Sequence, residues 1–282
     1  EEVQATAEEM GLTPLYFASY PILADDEMAN RLAAWAHAGR ANVGLHLHSW
    51  STPPLSGEEQ GSQSFQCQLN KDVHKQKLST LARLFESRLG LPPIAHRAGR
   101  YGIAPWVLDQ LAEIGVTYDF SPSPGFDFSS QGGPDFSNTS PLPHRRHTHH
   151  GSMWVLPVSG SRAIKRTRIF VPPQSRMVPK MLRSVGVRLS PEGNDLATMQ
   201  RLTHHLIKRG TPLLTPSFHL SSLVPGTTPY AQSEEEAFRL LDRLRQWWSW
   251  VQSDAKVSAT HLSGLTHSLD ENSSQKADQS SR

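Results

Sequence analysis

The segment "ANVGLHLHSW" closes an apolar run with two histidines one residue apart, His46 and His48. On an extended strand, residues i and i+2 point to one face, so both imidazoles can reach one ion while Leu45 and Leu47 pack behind them. His-x-His on a strand is a workable half of a zinc site. Zinc suits neutral imidazole and keeps a position open for water when three protein ligands bind. Taken alone, the pair is explained as readily by a strand that ends at solvent. Further groups of this kind stand at the ends of later apolar segments: Arg97 and Arg100 in "IAHRAGRYG", Asp119 in "VTYDFSPS" and His219 in "TPSFHLSS". Titratable or cationic groups at successive strand ends put chemistry on one face. That is the face where (β/α) barrels and open α/β sheets place their sites, because the loops after the strands are free to vary.

The elements that must position these groups form a repeated unit, an amphipathic helix stopped at a glycine and followed by a buried strand. "EEVQATAEEMG" feeds "LTPLYFASYP", "DEMANRLAAWAHAG" feeds "ANVGLHLHSW", and "KQKLSTLARLFESRLG" feeds "LPPIAHRAG". "APWVLDQLAEIG" then feeds "VTYDFSPS", and "DLATMQRLTHHLIKRG" feeds "TPLLTPSFHLSS". Parallel strands need long crossovers, usually helical, so the alternation predicts a parallel sheet covered by helices. "SMWVLPVSG" adds a strand and "EEEAFRLLDRLRQWWSWV" a closing helix, in which Trp247, Trp248 and Trp250 combine packing with partial exposure.

Composition narrows the function classes. With 37% hydrophobic and 19% charged residues the chain reads as a soluble globular protein, and a formal net charge of +2 sets up no strong field for nucleic acid or an acidic membrane. No nucleic-acid partner is expected, even for the basic, histidine-rich "PHRRHTHH" at 143–150, which reads as a solvated insertion. The single cysteine, Cys67, excludes an internal disulfide framework and a multi-thiolate metal site, so any metal must be held by His, Asp or Glu. No run approaches the roughly 18 apolar residues of a membrane span. A cytoplasmic location is expected, although a chain opening on Glu1 rather than methionine leaves room for an upstream signal. Residues 1–252 are expected to form one domain. From Ser253 the chain is rich in Ser, Gln, Asp and Lys, and 253–282 is expected to be a disordered polar tail.

"ANVGLHLHSWSTPP", "HRAGRYG", "VTYDFSPS" with "GGPDF", and "SFHLSSLVPGTTPY" occur in the order and spacing that resemble polysaccharide deacetylases of the NodB-homology class. More narrowly, they are similar to the bacterial branch found with surface-polysaccharide biosynthesis. The resemblance spans residues 1–250. It implies a distorted (β/α)7-type barrel of the glycoside hydrolase/deacetylase kind, and a divalent metal, zinc before others. The implied reaction is hydrolysis of an N-acetyl group from an amino sugar. Under it, His46 matches the metal-binding histidine and His48 the second metal ligand, where many relatives place that histidine at the position of Trp50. Arg97 matches the arginine that orients a catalytic carboxylate, and Arg100, Tyr101, Gly102 and Trp50 lie beside the substrate. Asp119 matches an aspartate that supports the site, and His219 the general acid that protonates the leaving amine.

The chain departs from that pattern in two places. The family's first strand carries an aspartate pair, one residue acting as base and one as metal ligand, whereas this chain starts inside the following helix. Asp25 and Asp26 stand directly before a helix and read as an N-cap and a first-turn charge. Val155 takes a position where relatives carry glutamate. The expectation is a barrel lacking its first strand and a hydrolase impaired by loss of its base. The alternative is a carbohydrate-binding relative that kept the barrel and lost catalysis.

Overall fold

The computed structural model describes residues 1–57, 61, 63–164 and 186–271. The first four repeats run as the pattern predicts. Helix α1 (Glu2–Glu9) leads to β1 (Leu15–Ala18), and a short α2 (Tyr20–Ala24) with α3 (Asp26–His37) leads to β2 (Asn42–Leu45). Helix α4 (Lys71–Leu89) leads to β3 (Ala95–His96), and α5 (Pro105–Glu113) to β4 (Tyr118–Asp119). Asp25 caps α3, accepting the Met28 N–H at 2.9 Å. Helix α4 stops at Gly90, whose φ of 64° is the left-handed conformation that turns the chain back toward β3.

The next strands, β5 (His144–Thr148) and β6 (Gly151–Val155), form a hairpin. The sheet order is β1-β2-β3-β4-β6-β5, all neighbours parallel except the antiparallel β5 at the edge. The "PHRRHTHH" segment is therefore a strand and its turn rather than an insertion. It stays exposed, and its arginines and histidines blunt the open edge. Strands β7 (Gly160–Ser161) and β8 (Val187–Arg188) pair antiparallel as a separate two-stranded sheet, and α6 (Leu196–Lys208) and α7 (Glu234–Ser253) complete the order. The fold is α/β of the barrel kind, with its main sheet open among the described residues. None of their helices is long and apolar enough to cross a membrane.

Register sorts the side chains. Leu45 pairs with His96, His96 with Asp119 and Asp119 with Val155, so these share one face. With Val43, Leu47 and Met153 that face joins Leu78, Leu81, Phe85, Val107 and Leu111 of α4 and α5 in the largest core. Burial of each such side chain contributes about 1.5–3 kcal/mol. The other face carries Phe17, Ala95, Tyr118, Phe120, Trp154 and Leu156. Val155 lies in the helix-facing core and not toward the inner face.

Two expectations fail here. Residues 211–219 follow α6 and its Gly210 but form no strand, because Pro212 and Pro216 lack the N–H groups a ladder needs. The segment is held instead by the Ser217 N–H on the Leu189 carbonyl (3.0 Å) and by the Thr215 N–H on Ser159 Oγ (2.9 Å). The expected disordered tail is also ordered as far as it is described. Leu262–Gly264 is a 3-10 turn followed by helix to residue 271, and Leu262, Leu265 and Leu269 pack on the inner face of the sheet. Those leucines recur at helical spacing within a polar segment, which gives it one apolar stripe to bury. Tyr118 Oη and Thr266 Oγ1 (2.6 Å), and Arg145 with Asp270 (2.7 Å), fasten it. Residues 272–282 lie outside the described residues.

Candidate functional site

The chain continues the ladder past the strand ends: the His46 N–H reaches the Ala18 carbonyl (3.0 Å) and the Arg97 N–H the Leu45 carbonyl (2.9 Å). Alternation then turns His46, His48 and Arg97 to the inner face, at the carboxyl end of the parallel strands. His46 Nδ1 donates to the Arg97 carbonyl at 2.7 Å. Its ring lies 4.4 Å from that of His48, which lies 4.3 Å from the Trp50 ring. Gly99 permits this packing, because a Cβ there would stand 2.5 Å from His48 Nδ1. The loop after His48 is held from behind by Lys77 of α4, fully buried, whose ammonium donates to the carbonyls of Ser49 (3.1 Å), Thr52 (2.9 Å) and Pro54.

Burial, and then repulsion from His48, holds the His46 imidazole well below its ordinary range. His48 is lowered to about 4 by burial and by the nearby His219 and Arg100. Both rings are therefore neutral near pH 7, and the charges acting most strongly on them are cationic. Arg97 stacks 4.5 Å over Phe17 and donates through Nε to the Phe120 carbonyl (3.3 Å). Burial holds its guanidinium below its ordinary value.

His219 comes from the irregular segment after α6 and precedes a 3-10 turn at Leu220–Leu223. Glu192 fixes it. The carboxylate accepts the His219 backbone N–H (2.8 Å) and Nδ1–H (3.1 Å), and also the Ser222 hydroxyl (2.5 Å). Burial pushes the Glu192 carboxyl up, but the His219 and Ser222 bonds outweigh it and leave the group below its ordinary value. With Nδ1–H committed to the carboxylate, the tautomer is set and the exposed imidazole offers Nε2. Sequence reading missed Glu192, Lys77, Gly99 and Arg188. Each acts through a fold-dependent contact, and "PEGND" around Glu192 has no periodicity to read.

The other expected residues divide. Arg100 and Tyr101 both take positive φ, 54° and 61°, which is costly for side chains of this size and concentrates at sites. Arg100 bonds Ser64 Oγ (2.5 Å) and Gln131 and stacks 4.2 Å over Phe65, while Tyr101 lies parallel to Phe128 and 4.3 Å beneath the Arg188 guanidinium. Gly102 is buried against residues 65–66, where a Cβ would meet the Gln66 nitrogen at 2.8 Å, so the position requires close packing. Asp119 does not join the pocket. It faces the helices, fully buried, accepting from His96 Nδ1–H (2.8 Å) and the Ser121 hydroxyl (2.6 Å), which in turn accepts the Ala98 N–H (2.9 Å). The alternation that turns Arg97 inward turns Asp119 outward, so it braces the strand end from behind.

The donor set fits a divalent metal in part. His46 donates Nδ1–H to a carbonyl, the bond that orients metal-binding imidazoles and frees Nε2, and His48 Nδ1 is buried without a partner. A catalytic zinc takes three protein ligands. Among the described residues no three His, Cys, Asp or Glu side chains are placed to share an ion.

No known family model matches the sequence, nor does any curated protein. Among solved structures the chain is similar to one described as a "putative polysaccharide deacetylase" from Mycobacterium smegmatis, with 18% identity and a TM-score of 0.54 over 97% of this chain and 76% of that one. It is also similar to a 4-alpha-glucanotransferase from Thermococcus litoralis, with 13% identity and a TM-score of 0.53 over 94% of this chain and 35% of that one. At these identities what is shared is the fold.

Proposed function

We propose that the chain is a hydrolase of the deacetylase kind, acting on the carbon–nitrogen bond of an N-acetyl group in an amino sugar of a bacterial polysaccharide or its precursor. The observation that carries this reading is the buried Glu192 holding His219 by Nδ1, with His219 acting electrostatically on His48 of the His46–His48 pair at the strand ends. That arrangement suits delivery of a proton from Nε2 to a departing amine. His46 and His48 would hold a divalent metal, zinc before others, whose chemistry when bound is to polarise the acetyl carbonyl and acidify its water. The similar fold of a described deacetylase supports the reading.

Among the described residues, two carboxylates near the strand ends are already committed. Glu192 is taken up by His219 and Ser222, and Asp119 by His96 and Ser121 behind the sheet. A general base contributes on the order of 10² to 10⁴ in rate, so the described residues acting without a further carboxylate would turn over slowly. The same observation favours a second reading, a non-catalytic carbohydrate binder built on the same barrel.

Acetate release from N-acetylated amino-sugar oligomers with added zinc separates the two. A slow release that His219→Ala removes supports the hydrolase. Oligomer binding with no release above background supports the binder. In parallel, His46→Ala is expected to abolish zinc uptake and His147→Ala, on the exposed β5, to leave it intact. Equal losses would move the metal to the hairpin.

A further inference from the structure

Resting on that reading, we infer that Gln66 is a positioning residue of the site. Through a buried hydrogen-bond chain that runs behind the sheet from Asp119 by way of His96, it sets where His46 and His48 stand relative to Arg97. Gln66, His74, His96 and Asp119, the side chains that form the chain, are all buried. Their point of action is the Leu47 carbonyl, between the two histidines. It accepts the Gly99 N–H (2.9 Å) and a Gln66 Nε2–H (2.9 Å), which occupies both of its lone pairs. That carbonyl belongs to the planar peptide unit that ends at the His48 Cα, so holding it from two directions fixes the setting of the His48 ring.

The chain has one polarity. Gln66 Nε2, the amide end on the Leu47 carbonyl, also faces His96 Nε2 at 3.4 Å, so that ring nitrogen accepts. His96 therefore carries its proton on Nδ1 and donates it to Asp119 Oδ1 (2.8 Å). The same carboxylate oxygen accepts the Ser121 hydroxyl (2.6 Å), whose oxygen takes the Ala98 N–H (2.9 Å) next to Arg97. One carboxylate thus reaches both strand ends: the Arg97 side through Ser121, and the histidine side through His96 and Gln66. Gln66 Oε1 accepts from His74 Nε2–H of α4 (2.8 Å), so both polar atoms of the amide are used. Its backbone is wedged as well, since the Cys67 N–H bonds the Gly102 carbonyl (2.9 Å) and Gly102 packs against it without room for a Cβ. Buried polar side chains are costly unless paired, and a fully paired network is rigid. A methionine would fill the same space; what the amide adds is direction.

The test reads the His46 Nδ1 proton, whose bond to the Arg97 carbonyl reports the separation of the two strand ends. Imidazole proton–nitrogen spectra of the full chain, without metal, are compared for wild type, Gln66→Met, His96→Leu, His96→Gln and Leu81→Ala, the last a core substitution outside the chain. In Gln66→Met and His96→Leu the signal should move upfield or vanish. His96→Gln, whose amide can donate to Asp119 and accept from Gln66, should keep it. Leu81→Ala should lower the unfolding midpoint and leave the signal in place. With added zinc, kcat for acetate release should fall about ten- to a hundred-fold in Gln66→Met while KM changes less than about two-fold. A signal unmoved in Gln66→Met, a signal moved as far by Leu81→Ala, or a moved signal with kcat intact overturns the inference and leaves the proposed function standing. If Gln66→Met does not fold, the contrast between His96→Leu and His96→Gln decides. No acetate release by wild type overturns the hydrolase reading, and the ring signal, which needs neither metal nor substrate, then decides the positioning by itself.

Discussion

Replacing Lys77 with methionine tests how the pocket is held. The Lys77 ammonium is fully buried and gathers the carbonyls of Ser49, Thr52 and Pro54, the loop that follows His48 and carries Trp50. A hydrogen bond to a charged group contributes about 1.5–3 kcal/mol net, and a buried acceptor left unpaired costs about 1–3 kcal/mol. Methionine keeps most of the stem's packing and removes the desolvation cost of the charge, which offsets part of the loss. Allowing one of the three carbonyls to find water, the substitution should destabilise the protein by about 3–5 kcal/mol, comparable to breaking a buried ion pair. That is a large part of the roughly 5–15 kcal/mol available to a typical protein. Urea unfolding should show a lower midpoint with unchanged slope. In native conditions amide exchange should quicken at residues 48–52 while the amides of β1 keep their protection. A loss below about 1 kcal/mol, with loop exchange unchanged, would refute the anchoring role.

Glu192→Gln should leave the fold intact but lower the rate of acetate release roughly ten- to a hundred-fold with little change in KM, the size of effect expected for a partner that orients a reacting imidazole. The His48 imidazole is held near 4 against an ordinary 6.5, so between those values the unfolded chain binds a proton that the folded chain excludes. Stability is therefore full above pH 6.5 and is lost as pH falls toward 4, by roughly 3 kcal/mol from this group; His48→Gln should flatten that limb in a pH series of thermal melts. Leu265→Ala, in the segment on the inner face, should cost about 2–5 kcal/mol in chemical unfolding and expose the Trp154 side of the sheet to quenchers. An unchanged midpoint would mean that the segment does not dock.

Periodicity is local, and what depends on it was legible. The glycine-stopped helices and the strands they feed follow from apolar spacing and from the left-handed turn at positions such as Gly90, so the parallel α/β order could be read in advance for four of the five repeats. The fifth failed on a local signal that was present, the prolines at 212 and 216. The docked leucines 262, 265 and 269 were hidden because composition averages over a segment and misses a single stripe.

His46, His48, Arg97 and His219 were visible as chemistry at segment ends, and alternation alone predicts that His46 and His48 share a face. Whether Asp119 joined them turned on register between strands: one residue's offset along β4 puts Phe120 on the inner face and Asp119 behind it. Residue type and spacing therefore determined the repeats, the covered sheet and the histidine pair. Only the tertiary structure decided which charges meet. Glu192 reaches His219 across 27 residues and Lys77 reaches Ser49 across 28, because side-chain partners are chosen by the packing of distant segments and not by their separation along the chain.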